Sequence, residues 1–340
     1  MSVNDPITPE PLLQLGLGFM ASKTLLSAVE LGVFTVLAQG GRDRASLAAE
    51  VGLHSRSAAD FLDALVSLGV LTCDEAGVYA NTPAADLFLD RAKPSYVGGI
   101  LEMANARLFG FWNNLTDALK TGTLQNEVAQ SGAPFFATLS QDPVAWRNFL
   151  NGMNGVSTPL AGALAANFDW TGRRHVIDLG GALGAVPAAV LRSNPDITGA
   201  VFELPPVQPV FEEFVATHGL ADRLTFHGGD FFTDPLPEAD VYVMGQILHD
   251  WNLEQRLFLL QKAYDALPEG GTLIVYDAMI DDERRQNSYG LLLSLNMLID
   301  TEGGSEYTVA DATQWLQSVG FAKVEAHHLI GGYSAVYATK

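Results

Sequence analysis

The sequence predicts an α/β protein in which a mainly helical N-terminal part precedes a mostly parallel sheet that ends in an antiparallel hairpin. From Arg174 onward, short runs rich in β-branched and aromatic residues alternate with helical segments, as in parallel strands joined by crossover helices. The last two runs, AKVEAHHLI and YSAVYATK, are separated only by Gly331-Gly332, a join tight enough for a hairpin. Up to about Asn167, apolar residues recur instead at helical spacing.

The N-terminal part has the element order of a winged helix. Leu25, Val29, Val33 and Val36 lie on one predicted helix face, and the helical segments ASLAAEVGL and SAADFLDALVSLG follow. VLTCDEAGVYANT then alternates around Glu75-Ala76-Gly77 as a short hairpin does. We predict three parts: a winged-helix domain over residues 1–105, a helical linker with substrate-lining helices over 106–168, and the sheet domain over 169–340.

Composition argues against several classes of partner. A formal net charge of −20 repels phosphate backbones, and the second long helix of the winged helix carries one Arg and two Asp, so we expect no nucleic-acid partner. The single Cys73 permits neither an intrachain disulfide nor a Cys-based metal site, and the histidine spacing predicts no metal ion. The N-terminus does not resemble a signal peptide and no uncharged apolar run is long enough to span a bilayer, so we expect a cytoplasmic protein without a membrane partner.

His249 lies between a predicted strand, ADVYVMGQIL, and a predicted helix. Asn252 and Gln255 have the spacing of a capping box, which places the helix start at Asn252. The imidazole therefore belongs at the carboxyl end of a parallel strand, the edge at which open α/β sheets bind ligands. The buried face of the helix is predicted to consist of Leu257, Leu260, Tyr264 and Leu267.

The glycine turn VIDLGGALG departs from the patterns that bind dinucleotides or nucleoside triphosphates. A dinucleotide loop needs Gly at 180, 182 and 185, but Ala182 and Ala185 occupy two of these positions. No phosphate-binding Lys-Ser/Thr pair follows the turn either. Redox chemistry with a nicotinamide cofactor is therefore disfavoured.

Acidic residues follow successive predicted strands at this same edge. Asp178 lies on the first strand, Glu203 ends the second, and Asp230 with Phe231 follows the third. Carboxylates can accept from ribose hydroxyls and from an exocyclic amine, and an aromatic ring can lie on a purine face. Taken singly, each acid is explained as an ordinary strand-end turn residue. Together, and without a phosphate clamp, they indicate a ligand with a ribose, an adenine and a positive centre, which describes S-adenosylmethionine.

With these motifs, the chain resembles the S-adenosylmethionine-dependent O-methyltransferases that carry an N-terminal winged-helix dimerisation domain. That family includes plant caffeate and isoflavone enzymes, vertebrate acetylserotonin methyltransferase and bacterial natural-product enzymes. DLGGALG, GGDFF, HDWNLEQ, ALPEGGTLIVYDAMI and TEGGSEYT occur in family order, and the resemblance covers roughly residues 12–340. It implies a class I methyltransferase Rossmann-like sheet, S-adenosyl-L-methionine as cofactor, a small-molecule acceptor, and a homodimer formed through the N-terminal domain.

The resemblance also implies roles for matched residues. The imidazole of His249 would be the general base, acting as a neutral ring near pH 7, with Asp277 and Glu306 as its flanking acids. The implied acceptor is flat or greasy, such as a phenol or a polyketide, because its lining is apolar. The cofactor-binding residues would be Gly180, Glu203, Asp230, Phe231, Met244, Trp251 and Ser157, and the acceptor would be lined by Met103, Phe149, Met153, Asn296 and Met297, between the helical part and the sheet edge.

The chain departs from the family pattern at three positions. Ala182 replaces a usual glycine, Gly245 stands where plant members carry a Lys, and Asp277 is one methylene shorter than the plant Glu. Two alternatives stay open within the fold. The acceptor atom can be a carbon or a nitrogen, and some relatives bind the cofactor without transferring methyl.

Overall fold

The computed structural model describes residues 7–129, 132–133 and 135–340. The chain divides into two compact units, Met1–Leu108 and Phe109–Lys340.

The N-terminal unit combines helices with a small sheet of order β1-β3-β2. The predicted hairpin is present, since Leu71 to Cys73 pair antiparallel with Tyr79 to Asn81. Its core is built from apolar residues of several helices, among them Phe34, Leu47 and Leu62. The elements are α1 (Glu10–Leu17), α2 (Phe19–Glu30), α3 (Val33–Ala38), β1 (Arg42–Asp43), α4 (Arg44–Val51), α5 (Ser55–Ser67), β2 (Leu71–Cys73), β3 (Val78–Asn81), α6 (Pro83–Leu89), α7 (Gly98–Met103) and a π-helical turn, Ala104–Leu108.

The first two helices expose much apolar surface. Among the described residues, the segment Glu10–Glu30 is long and apolar enough to cross a membrane by length and composition alone, and only 17% of its most apolar window is buried. The same criterion is met by core helices of soluble proteins. The exposed side chains on this segment include Leu12, Leu13, Leu15, Leu17, Phe19 and Met20.

The C-terminal unit is built on a seven-stranded sheet of order β6-β5-β4-β7-β8-β10-β9. The first five strands are parallel, whereas β10 runs antiparallel to both β8 and β9, as the sequence predicted. The strands are β4 (His175–Leu179), β5 (Thr198–Glu203), β6 (Leu224–Gly228), β7 (Val241–Gly245), β8 (Thr272–Asp277), β9 (Lys323–Ile330) and β10 (Tyr333–Thr339). The helices are α8 (Phe109–Phe111), α9 (Leu115–Thr121), α10 (Phe135–Leu139), α11 (Pro143–Asn167), α12 (Ala185–Ser193), α13 (Gln208–Thr217), α14 (Leu253–Ala266), α15 (Ser288–Asp300) and α16 (Val309–Ser318), with 3-10 turns at Trp112–Asn114, Pro205–Val207 and Leu248–Asp250.

Both faces of this sheet are covered, which is why its strands are apolar throughout rather than alternating. On β7, Val241 and Val243 point into one core cluster while Tyr242 and Met244 point into the other. The chain order reverses at β4, because β5 lies on one side of it and β7 on the other. Such a reversal opens a crevice at the carboxyl ends of the strands, where α/β folds bind ligands.

Candidate active site

His249 is fixed in place by the structure of the β7–α14 connection. The 3-10 turn Leu248–Asp250 follows β7, and α14 then starts from Asn252 with the predicted capping box to Gln255. Gln246, just after β7, has a left-handed φ of 57°, which turns the chain sharply at the sheet edge. The imidazole is buried, with 6% of the residue exposed.

The acids predicted to flank His249 both lie at its Nδ1 side. Glu306 Oε1 is 2.7 Å from Nδ1 and Asp277 Oδ1 is 3.4 Å from the same atom. Because an ionised carboxylate can only accept, Nδ1–H donates to Glu306 and Nε2 is left for chemistry. The shorter Asp277 contributes charge without a hydrogen bond to the ring, and its second oxygen accepts from the Tyr307 hydroxyl.

The protonation of His249 differs from the expectation of a neutral ring. Burial alone lowers the pKa of its imidazole, but the charges of Asp277, Glu306 and Asp250 outweigh burial and raise the pKa to about 10. Burial raises the pKa of the Asp277 carboxyl, and it raises that of Asp250 to about 6. In the ligand-free protein the ring is therefore cationic at pH 7 and stabilised by its acids.

The same constellation also has the atoms of a small cation site. One ligand atom each from His249, Asp277 and Glu306 lies within 4.8 Å of the others. The Nδ1–Glu306 hydrogen bond, however, already uses two of these atoms. The absence of a metal requirement stays a prediction that a chelator tests.

The glycine loop after β4 is shaped by close approaches. Gly180 has φ 75°, and a Cβ there would lie 2.3 Å from Ile247 Cδ1, so a larger residue would strain the backbone and displace the Ile247 side chain. A Cβ on Gly181 would lie 2.4 Å from the Asp178 carboxyl carbon. Ala182 takes φ 46°, the left-handed region that favours glycine, so the departure noted in the sequence is accommodated with backbone strain.

Two carboxylates at this edge lack a cation partner among the described residues. Burial, then the charge of Glu203, raises the pKa of Asp178 to about 8, and burial raises that of Glu203 to about 7. Glu203 accepts from the backbone N–H of Leu204. Acids that are buried or half-buried without a cation partner fit a ligand that brings hydroxyl donors and positive charge, which S-adenosylmethionine provides.

The residues assigned to the adenine lie together. Phe231 and Trp251 are edge to face at 6.1 Å, and Phe231 Cε1 is 3.5 Å from the position of a Cβ on Gly180. Asp230 is half-buried and one of its oxygens already accepts from Phe232 N at 2.8 Å. The indole N–H of Trp251 is buried without a partner among the described residues, a donor available to a ligand. Met244 is buried beneath them in the same core cluster.

The position where plant relatives carry a Lys is filled in a different way. A Cβ on Gly245 would lie 1.9 Å from Tyr276 Cζ, so the ring of Tyr276 occupies the space of any side chain there. Gln246 Nε2 is 3.4 Å from Ser157 Oγ. Burial, then the charge of Asp178, raises the pKa of the Tyr276 hydroxyl, whereas Ser157 and Gln246 act to lower it. Ser157, Gln246 and Tyr276 thus form a polar cluster at the sheet edge.

The residues assigned to the acceptor have more varied surroundings. Phe149 stacks on Trp146 at 5.8 Å and meets Phe135 and Phe136 edge to face, so part of its surface belongs to an aromatic cluster of the core. Asn296 is buried and accepts from the Trp112 indole N–H at 2.9 Å. Met297 is buried, Met153 is half-buried, and Met103, in the N-terminal unit, is buried at the end of α7.

Sequence reasoning missed four residues around this edge: Tyr276, Gln246, Arg256 and Tyr307. Arg256 is 4% exposed and lies on the buried face of α14 with Leu259, Leu260 and Ala263, a face rotated from the predicted one. A charged residue in a helix is ordinarily assigned to solvent. Tyr276 and Tyr307 could have been found from the sequence, because each is adjacent in the chain to a predicted catalytic acid, Asp277 or Glu306.

Comparison with known proteins agrees with this geometry. Residues 112–322 match the O-methyltransferase domain family and residues 13–91 the O-methyltransferase dimerisation domain. The chain is 44% identical to the tetracenomycin polyketide synthesis 8-O-methyl transferase TcmO of Streptomyces glaucescens, over 95% of this chain and 94% of that one, and 36% identical to the N,N-dimethyltransferase OxyT of Streptomyces rimosus, over 94% and 92%. Human N-acetylserotonin methyltransferase in complex with S-adenosylmethionine superposes with a TM-score of 0.92 at 29% identity, covering 100% and 99%. The chain belongs to the S-adenosylmethionine-dependent O-methyltransferase family.

Proposed function

We propose that this enzyme methylates a hydroxyl group of a small aromatic or polyketide-like acceptor, with His249 as the general base. The observation that carries the proposal is the 2.7 Å contact between Nδ1 and Glu306, which fixes the ring and leaves Nε2 at the sheet edge. S-adenosylmethionine, when bound, supplies a methyl group activated by a positively charged sulfonium. The residues proposed to hold it are Gly180, Glu203, Asp230, Phe231, Met244, Trp251 and Ser157.

The protein's task is then to orient the acceptor oxygen and to remove its proton. Nε2 can accept that proton only after losing its own, since the ring is cationic in the free protein. Asp250 is placed to relay that proton to solvent, because its Oδ1 lies 3.6 Å from Nε2 and 24% of its side chain is exposed. Its pKa of about 6 lies below that of the imidazolium, so the proton passes on to water and does not stay on the carboxylate.

The proposed acceptor class rests on side-chain chemistry and on one relative. Within the C-terminal unit the proposed lining is apolar and polarisable, because Met153 and Phe149 are half-buried and Met297 is buried. The relative TcmO is named for O-methylation in polyketide synthesis. Asn296 completes the proposed lining within this unit.

Nitrogen methylation is the second candidate, because a relative 36% identical to this chain is named an N,N-dimethyltransferase. An amine that attacks in its neutral form needs no base before the transfer, so the two candidates differ in their dependence on His249.

We also propose that the chain is a cytoplasmic homodimer. The exposed apolar side chains of α1 and α2, such as Leu12, Leu15 and Phe19, form a surface larger than isolated apolar residues need. The dimerisation domain matched over residues 13–91 includes Leu15 and Phe19 of this surface. Residues 106–168 are proposed as a linker that carries acceptor-lining helices.

The decisive experiment compares wild type with His249→Gln on hydroxylated and aminated fused-ring acceptors. 1,8-Dihydroxyanthraquinone and 1-aminoanthraquinone are suitable probes. His175→Gln is the matched control, because His175 is hydrogen-bonded to Thr198 at the amino ends of the strands, away from the carboxyl edge that carries His249. We expect methylation of the hydroxylated probe and a loss of about 10²–10⁴-fold in His249→Gln alone, with unchanged S-adenosylhomocysteine affinity and no effect of EDTA. Near-normal O-methylation by His249→Gln would remove the general base from the mechanism, and preference for the amine would favour the second candidate.

A further inference from the structure

Arg256 is buried beside the turn Leu248–Asp250, which carries His249, and has no ion-pair partner among the described residues. The guanidinium lies 5.1 Å above the Tyr307 ring and 5.2 Å from the Trp315 ring. Burying a guanidinium is unfavourable unless its donors are satisfied. The groups that accept hydrogen bonds from the guanidinium therefore indicate the role of Arg256.

The donors of Arg256 reach the two chain segments that carry His249 and Glu306. Nε donates to the carbonyl oxygen of Leu248 at 2.8 Å, and Nη2 donates to the carbonyl oxygen of Ser305 at 2.5 Å and to Ser305 Oγ at 3.2 Å. Leu248 directly precedes His249, and Ser305 directly precedes Glu306. One rigid, planar guanidinium thus binds the residue before the proposed base and the residue before its hydrogen-bonded acid.

The backbone between these segments shows how close their packing is. Ser305 N donates to the His249 carbonyl at 2.8 Å. A Cβ on Gly304 would lie 2.4 Å from that same carbonyl oxygen, so the loop approaches the 3-10 turn as closely as its atoms permit. The loop residues Gly303–Glu306 belong to no helix or strand. Their position therefore depends on contacts such as those of Arg256.

Tyr307 extends the arrangement to the second acid. Its hydroxyl donates to Asp277, and its ring is the surface on which the Arg256 guanidinium stacks. A cation over an aromatic face gains energy when both groups are desolvated, and Tyr307 is 2% exposed. Arg256 and Glu306 also border a cleft of about 600 Å³ that is lined by Tyr307, Trp315 and Asp311.

We propose that Arg256 is a positioning residue that holds His249 and Glu306 in hydrogen-bonding register by clamping the carbonyl groups of Leu248 and Ser305. The proposal rests on the proposed function only in its consequence for turnover. The geometry itself is measurable without any acceptor.

The test variant is Arg256→Met, which keeps the length and apolar stem of the side chain but loses its donors. Arg223 offers a matched control, because its guanidinium also binds backbone carbonyls, those of Leu191, Asn194, Pro195 and Ile197, at the amino ends of the strands. Arg223→Met should lower the melting temperature without affecting the active site. Arg256→Lys retains a cation that can reach only part of the clamp, and serves if the Met variant does not fold.

The first readout is the proton resonance of His249 Nδ1–H, assigned by its absence from His249→Gln. In wild type and Arg223→Met we expect a downfield signal protected from solvent exchange by Glu306. In Arg256→Met the signal should be lost or exchange at least tenfold faster, with Arg256→Lys in between, while the Kd for S-adenosylhomocysteine stays within about threefold of wild type. A wild-type signal in Arg256→Met, or in Arg256→Lys if that is the only folded variant, would overturn the proposal.

The second readout is turnover of the hydroxylated probe. A misplacement of about 1 Å costs on the order of 10²-fold in rate, so kcat should fall by 10- to 100-fold in Arg256→Met with little change in the KM for S-adenosylmethionine. In a His249→Gln background the same substitution should have almost no further effect, because it acts through the imidazole. A full additional loss in that background would contradict the proposal. If His249→Gln itself keeps its activity while the resonance still depends on Arg256, the proposed function fails and the positioning role stands.

Discussion

Replacing Asp277 with Asn should lower the pKa of His249 and make the neutral imidazole available nearer pH 7. Asp277 is the acid with the largest charge effect on the ring, larger than that of Glu306 or Asp250. Asn has nearly the same volume, and its oxygen can still accept from the Tyr307 hydroxyl as Asp277 does. The substitution therefore removes one negative charge and leaves the Nδ1–Glu306 hydrogen bond in place.

The size of the effect follows from the 3.4 Å between Nδ1 and Asp277 Oδ1. With an effective dielectric constant of about 20, two unit charges at this separation interact by about 5 kcal/mol, equivalent to more than a thousandfold change in proton affinity. The pKa of the Asp277 carboxyl, although raised by burial, lies below that of the imidazole, so the carboxylate is charged at the midpoint of the His249 titration. We therefore expect this midpoint to fall by at least about two pH units.

The direction of the pH dependence follows from the same charges. A base works in its deprotonated form, so kcat/KM should rise with pH towards the raised pKa of about 10 in wild type. In Asp277→Asn this rise should come at lower pH. Stability should respond in the opposite sense, because the charged ring stabilises the fold below the unfolded pKa of about 6.5 and this contribution is lost as pH rises through about 10.

The assay is an NMR titration of the His249 ring between pH 5 and 11 in the absence of acceptor, with the resonance assigned from His249→Gln. An acceptor-free titration avoids the ionisation of a phenolic substrate near pH 10. His175→Gln and wild type supply the reference curves. A midpoint in Asp277→Asn within about 0.3 pH units of wild type would refute the electrostatic account of the site.

Three further substitutions examine the cofactor edge. Glu203→Ala should weaken S-adenosylhomocysteine binding by about 1.5–3 kcal/mol, through the lost charge-assisted hydrogen bonds, without changing the circular dichroism spectrum; an unchanged Kd would exclude the ribose assignment. Ala182→Gly removes a left-handed φ of 46° from a non-glycine residue and should raise the free energy of unfolding by about 0.5–1 kcal/mol, seen as a higher urea midpoint. Gly245→Ala places a Cβ 1.9 Å from the Tyr276 ring and should lower the free energy of unfolding by about 1–3 kcal/mol. In a Tyr276→Ala background the loss should be markedly smaller. Equal losses in the two backgrounds would show that the Tyr276 ring moves freely out of the way.

The features of this enzyme that could be predicted from sequence are those that depend on residues close together in the chain. The capping box at Asn252 is one, since a helix start needs only side chains three residues apart. The C-terminal hairpin at Gly331-Gly332 is another. The strand-end positions of Glu203 and His249 followed from such local patterns combined with the rule that ligands bind at the carboxyl edge of a parallel sheet.

What could not be predicted depends on contacts between distant segments. Gly245 was recognisable as a departure, but only the fold shows that the ring of Tyr276 from the neighbouring strand fills its place. Helical periodicity assigns Arg256 to solvent, whereas the loop that brings Ser305 to its guanidinium lies 49 residues further along the chain. The protonation state of His249 likewise results from burial and three acids, and the motif HDW contains only one of these acids, Asp250.

The acids at the cofactor half of the sheet edge have no cation partner in the described part of the chain, whereas those beside His249 have one. This difference follows from the function of each half. At the cofactor half, Asp178 and Glu203 have no cation partner among the described residues, and burial raises the pKa values of both. They are suited to a ligand that brings its own positive charge and hydroxyl donors. At the base, Asp277 and Glu306 already have a cation, the imidazolium of His249. Here the carboxylates hold a ring whose charge must change during the reaction. The carbonyl clamp of Arg256 fits this second task, because it fixes the backbone before each partner without placing another carboxylate beside the ring.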